Sequence, residues 1–354
     1  MFYVYAISVI VAAFFLAMTI YSRGLNILHR FFFKQKIENY VFLPLVIIGA
    51  PTFFAISLFF GKSQDILFSV SPLDISYIFL SCLIIGLSGF LRKKYFLPII
   101  LSLFIVGYMF VLPKDFLLFE GLLPFWYDRA ATFAIWLFFA SGFCFFTETD
   151  GLLPEICSLL GLDLIIFSAF GLSSVQLAMF ASVLLGVSFA FLIFNGHPAE
   201  LKINSASSCV LGFFTGWLLI AFCGEGMGLS ALILSTLIFI EIAIFIISRY
   251  VFLKKAPVPF DEIKDTDERL PDNSDFKCRQ FARLQLFLTI LALVQAYALK
   301  SAALPLFSVL FMLWLTGKLG FEGRQKTFRE INHQFISDIK SNINQFFHKA
   351  DKDD

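Results

Sequence analysis

The sequence predicts an all-α, polytopic integral membrane protein of about eleven transmembrane helices, with its N-terminus outside and an amphipathic tail in the cytoplasm. Composition points there first: of 354 residues, 59% are hydrophobic and 15% charged, with mean hydropathy +0.84. A soluble domain carries about 25% charged residues. Uncharged apolar runs recur along the whole chain, many of them long enough to cross roughly 30 Å of hydrocarbon at ~1.5 Å per residue. A segment in hydrocarbon must satisfy its own backbone amides, so each run is read as a helix. The third observation is the division of positive charge between the loops.

The first run, Phe2 to Tyr21, follows no basic segment and precedes no small-residue cleavage site, so it reads as a retained span. The further expected spans are Tyr40–Phe60, Ile75–Leu91, Tyr95–Leu112, Ala130–Phe146, Leu152–Phe170, Val175–Phe194, Cys209–Cys223, Leu229–Phe252, Leu284–Leu299 and Ala302–Leu315. Phe116 to Trp126 is aromatic but too short to cross. It is expected at the interface, with Trp126 and Tyr127 at headgroup depth. With this count, only Lys62, Lys114, Arg129 and Lys300 of 27 Lys and Arg fall on outside loops, as the positive-inside rule requires. A miscount by one near the middle would scatter them.

The spans fill residues 1–320, interrupted by a mixed-charge, proline-bearing inside loop at residues 254–283. Residues 321–354 form the tail. There Phe328, Ile331, Phe335, Ile339, Ile343 and Phe347 recur at helical spacing, which fits a helix lying on membrane lipid or against a partner. The net charge of +1 supplies no field for nucleic acid. Five cysteines lie in or beside apolar runs and Cys278 in the polar loop, without disulfide or metal spacing. The four histidines are far apart in sequence.

Four inside stretches could carry chemistry. Thr147-Glu148-Thr149-Asp150-Gly151-Leu152 puts two carboxylates at a helix mouth, where they could hold Mg²⁺. On the residues alone the leading account is that Thr149 or Asp150 caps the next helix. Phe194-Asn195-Gly196-His197-Pro198-Ala199, followed by Ser205 to Ser208, offers Asn195 to a polar ligand, or is a plain Asn-Gly turn. Ile84 to Phe90 leads into Arg92-Lys93-Lys94, a phosphate attractor or a topology anchor. The acids between Asp261 and Glu268 could bind metal or form a solvated face. Of the carboxylates inside expected spans, Asp163 and Glu241 are the candidates for a translocation path, which intramembrane ionisable groups mark.

In this order the stretches resemble the polyprenyl-phosphate sugar-1-phosphate transferases, or glycosyltransferase family 4. These include the peptidoglycan lipid-I synthase and the undecaprenyl-phosphate N-acetylglucosamine-1-phosphate transferase. Phe194-Asn195, Pro198-Ala199 and Leu211-Gly212-Phe213 are similar to the family's Phe-Asn, Pro-Pro-Ala-Lys and Leu-Gly-Phe, at the same separations. Trp136 to Leu152 is similar to the helix ending in Asp-Gly-hydrophobic-Asp-Gly, and Ile84 to Phe90 to the helix end with paired aspartates. The resemblance covers about Ile75 to Phe213. It implies a bacterial inner-membrane protein of cell-envelope glycan synthesis that uses Mg²⁺ to move a sugar-1-phosphate from a UDP-sugar to a polyprenyl phosphate. Carried over residue by residue, it assigns Asp150 to catalysis, Asp150 and Glu148 to metal, and Asn195, Gly151 and Ser205 to substrate.

The departures are specific. Ser88 and Gly89 stand at the paired aspartates, Leu153 at the second acid of the Asp-Gly motif, and Cys144 and Thr147 at its asparagines. Ser205 replaces the acid of Gly-Asp-x-Gly-Ser, Glu200 the lysine after Pro-Ala, and the His-x-His-His motif has no counterpart beyond Val258-Pro259-Phe260. Phosphoryl transfer between anions rests on positioning and metal-assisted charge stabilisation. Losing these acids weakens it by on the order of several kcal/mol. The expectation is thus a divergent transferase or a catalytically impaired descendant. The alternatives are a non-catalytic partner in envelope glycan assembly, associating with copies of itself or with another assembly protein, and a transporter.

Overall fold

In a computed structural model, residues 2–24, 41–60, 72–89, 96–113, 116–119, 123–196, 198–253, 274–299 and 303–315 are described. They contain eleven apolar helices and no strand: α1 Phe2–Thr19, α2 Leu43–Phe60, α3 Pro72–Ser88, α4 Phe96–Val111, α5 Phe125–Gly142, α6 Leu152–Ala169, α7 Val175–Asn195, α8 Ser205–Phe222, α9 Gly228–Leu253, α10 Ser274–Val294 and α11 Ala303–Leu315. Each expected span has its helix. Six helical stretches are long and apolar enough to cross a membrane, one of them the 40-residue Ser205–Ile244, which turns back at Gly226 (φ 82°). The protein is a helical, membrane-embedded bundle.

The outside of the bundle is apolar, as lipid contact demands: Phe15, Leu73, Leu103 and Phe110 are all largely exposed. Inside, aromatic rings take up much of the core. Phe53 stacks on Phe180 at 3.9 Å between centroids and meets Phe79, Phe214 and Trp217. The two buried tryptophans in this core have partners for their N–H groups. Trp136 donates to the Phe213 carbonyl (3.0 Å) and Trp217 to the Tyr108 hydroxyl (2.8 Å).

Successive helices alternate in direction, so their connections sort to two ends. At end A the Tyr21 hydroxyl, just past α1, donates to the Val41 carbonyl before α2. At end B the Asp128 carboxylate accepts the Leu118 and Phe119 N–H groups, both at 2.9 Å, and folds that segment onto the start of α5. Arg129 donates to the Leu112 and Pro113 carbonyls and stacks against Phe116 and Phe125. Beside them Trp126 and Tyr127 are exposed.

A second staple at end B joins two turns. Glu225, between α8 and α9, accepts the Ser174 N–H (2.8 Å) and its hydroxyl, while Ser174 itself caps α7 by accepting the Leu177 N–H. Burial pushes the Glu225 carboxyl above its ordinary range, against the pull of the Ser174 bonds. Ionising it therefore costs the fold. Its contribution is complete below the ordinary glutamate value of about 4.3 and is lost as pH rises through the raised value. A thermal-stability profile against pH should show that decline in the natural protein and a flatter line in Glu225→Gln.

Two expectations need correction. Residues 254–283 were read as one loop, yet α10 begins at Ser274, so Cys278 sits on a helix. Phe281 is buried in line with half-buried Leu284 and buried Leu288, so the apolar helical face of the following span reaches back into this stretch. Neither Thr149 nor Asp150 caps α6; the cap position is Gly151, without a side-chain bond. The C-terminal tail and residues 254–273 lie outside the described residues.

Candidate functional site

End A gathers the motif-bearing turns. α5 continues as a tight 3₁₀ segment, Phe143–Glu148, before the chain reverses into α6. The reversal needs a left-handed residue, and Gly151 supplies it at φ 78°. Its N–H, exposed by that turn, donates to Asn195 Oδ1 at 3.0 Å. Asn195 is the last residue of α7 and is buried. Its Nδ2 donates to the Leu201 carbonyl (2.8 Å), and the Leu201 N–H returns to Phe194 (2.9 Å). One amide thus ties the α5–α6 turn to the α7–α8 turn.

Asp150 makes a second tie, as its Oδ2 accepts the Ala199 N–H at 3.3 Å. The Cys278 thiol on α10 reaches the Asp150 carbonyl at 3.7 Å and so covers the same turn. Asn204 caps α8 by accepting the Ser207 N–H (2.8 Å), leaving Ser205 as the first helical residue. The Ser205 carbonyl accepts the Cys144 thiol at 3.3 Å, and the Cys144 and Cys209 sulfurs lie 2.8 Å apart. α3 closes the group: a Cβ on Gly89 would sit 2.6 Å from Ala206 Cβ and 3.3 Å from Asn204 Nδ2. Ser88 is buried and its hydroxyl bonds back to Ile85.

Ser88, Gly89, Asp150, Gly151, Asn195 and Ser205 therefore stand at one end, linked through a chain of short contacts. The polar atoms of Asn195 and Oδ2 of Asp150 hold loops together. The side chain of Glu148, and all of His197, lie outside the described residues.

A resident Mg²⁺ would draw on oxygen ligands, above all carboxylates. Here Asp150 Oδ2 is occupied by an amide proton, Asn195 beside it is neutral, and Glu155 bonds the Cys278 thiol. Among the described residues no three His, Cys, Asp or Glu side chains come together at metal-holding spacing. The described donors do not make a metal centre, and no step is derived through one.

Sequence reading missed Cys278 over Asp150 and the cap at Asn204. The first was hidden by assigning residues 274–283 to the loop. The second follows a familiar pattern, since asparagine before an apolar helix is a strong N-cap signal. Compared with models of known families and with curated proteins, the chain matches none.

Proposed function

We propose that this protein is a divergent relative of the polyprenyl-phosphate sugar-1-phosphate transferases. In this reading end A keeps the framework of the ancestral site and serves envelope glycan assembly without ordinary transfer chemistry. The observation that carries it is the meeting of the α3, α5–α6 and α7–α8 turns at one end, with Asn195 bonded to Gly151 and Asp150 to Ala199. The separations that make the sequence resemble that family are those that let these turns meet. The acids that would hold a metal are replaced, and the retained Asp150 and Asn195 spend their bonds on loop geometry.

The finer topology belongs to the same proposal: eleven spans, the N-terminus outside and end A in the cytoplasm of a bacterial inner membrane. Alternating helix directions and the lopsided distribution of Lys and Arg support it. A polyprenyl phosphate and a UDP-sugar are the ligands this reading offers to end A.

UDP-sugar-dependent release of UMP by purified membranes tests it. The expected result is a rate no higher than that of Asp150→Ala. Turnover in the natural protein that Asp150→Ala abolishes would show a working transferase and overturn the non-catalytic reading.

A further inference from the structure

The interface between α6 and α10 carries polar side chains that the end A site does not use. Asp163, midway along α6, is almost fully buried. Its Oδ2 accepts from Gln285 Nε2 at 2.7 Å, and its Oδ1 lies 2.6 Å from Thr289 Oγ1. Gln285 Nε2 also reaches the Leu234 carbonyl on α9, at 3.2 Å. Both hydrogen-bond partners of the carboxyl group are neutral. A charge buried without an opposite partner costs several kcal/mol, so the carboxyl group needs another way to be satisfied.

The Thr289 hydroxyl shows what that is. It has one hydrogen but two acceptors in reach, Asp163 Oδ1 and the Gln285 carbonyl at 2.8 Å. If Asp163 is ionised, that hydrogen can serve only one of them. If Asp163 is a neutral acid, its O–H donates to Thr289 Oγ1, and the threonine hydrogen goes to Gln285. Every bond is then made.

Toward end B the seam stays polar. Gln295, past the end of α10, is buried, and among the described residues neither of its side-chain polar atoms has a partner, nor has Gln285 Oε1. Ser230 on α9 donates to the Ala292 carbonyl beside it, Ser168 on α6 to the Ser174 carbonyl, and Tyr297 to that of Phe170. Orphaned buried amides of this kind are where internal water binds.

We infer that Asp163 is a proton-binding site in the middle of the membrane, in exchange with water that enters from end B past Gln295. Binding adds one proton to the carboxylate, and release returns it along the same seam. Few groups compete for that proton. Of the elements packed against α6, α7 has no titratable side chain, α8 has Cys209 and α9 has Glu241, Arg249 and Tyr250. The 3₁₀ segment has Cys144 and Glu148, while α10 has Asp275, Lys277, Cys278, Arg279 and Arg283 and continues to Tyr297. On α6 itself the others are Glu155 and Cys157. An intramembrane carboxyl that gains and loses a proton is the working part of proton-coupled transport, an activity separate from sugar-phosphate chemistry at end A.

Infrared spectroscopy of the purified protein at neutral pH tests this. The natural protein should show a carboxylic-acid C=O band that shifts on transfer to D₂O and is missing from Asp163→Asn. Thr289→Val should move the band by removing its acceptor. Gln295→Leu should keep the band but slow the D₂O shift severalfold. No difference between the natural protein and Asp163→Asn would mean an ionised carboxylate and overturn the proposal. A band that D₂O leaves unchanged would mean a sealed structural clamp and overturn it equally. An unslowed shift in Gln295→Leu would overturn the route past Gln295. If Asp163→Asn fails to fold, ¹³C-labelled aspartate in the natural protein and Thr289→Val identifies the band.

Discussion

Asn195→Ala is expected to destabilise the protein by about 2–4 kcal/mol and to loosen end A far more than end B. The substitution removes one acceptor and one donor at once. The Gly151 N–H loses its partner at 3.0 Å and the Leu201 carbonyl its partner at 2.8 Å. Both sit beside a buried side chain, and each buried polar group left unpaired costs about 1–3 kcal/mol. Gly151 cannot readily find a substitute, because its left-handed conformation directs the N–H toward α7. Hydrogen exchange at Gly151 and Leu201 should accelerate, while the Ser174 amide at end B keeps its protection. Equal acceleration at both ends would mean that Asn195 supports the bundle generally rather than the two turns. Asn195→Asp separates the two bonds, since it keeps an acceptor for Gly151 but turns a carboxylate oxygen toward the Leu201 carbonyl.

Gly212→Val is expected to cost about 1–3 kcal/mol or more, the range for overpacking a filled interior, and to part α5 from α8. A Cβ at Gly212 would lie 2.8 Å from Phe143 Cγ and 2.9 Å from both Ala140 Cα and the Ala140 carbonyl oxygen. Two of those atoms are backbone, so no rotamer change relieves the contact and the helices must move. Small residues permit such close approach between membrane helices. The change should lower the midpoint of thermal unfolding in detergent. Gly171→Ala is the comparison: nothing lies within 4 Å of its Cβ position, so only the cost of its positive φ applies. A smaller loss at Gly212 than at Gly171 would contradict the close helix contact.

Gly212 also explains why part of the site was legible in the sequence. Leu211-Gly212-Phe213 looks like a signature of function, and in the fold it is a packing element: Gly212 admits α5 and Phe213 receives the Trp136 indole N–H. The helices were readable because hydrophobic length alone specifies them in lipid. The gathering of Asp150 and Asn195 at one end followed from counting spans, since each lies on the same side of an odd number of crossings. What the residues spend their hydrogen bonds on was not readable. A carboxylate at a helix mouth can bind a cation or an amide, and only the position of Ala199 decides it. Cys278 was lost for a related reason: the charged residues Asp275, Lys277, Arg279 and Arg283, spread through the stretch, obscured its helical pattern. The pair Gln285 and Thr289, four residues apart inside an apolar run, was visible but had no partner until Asp163 was placed opposite.

The neighbouring sulfurs of Cys144 and Cys209 have a consequence for watching this molecule at work. They join the 3₁₀ segment to the first turns of α8, and both are buried. Any ligand that separates these two elements must first uncover a thiol. Alkylation by a small maleimide would then act as a clock, with its rate set by how often end A opens.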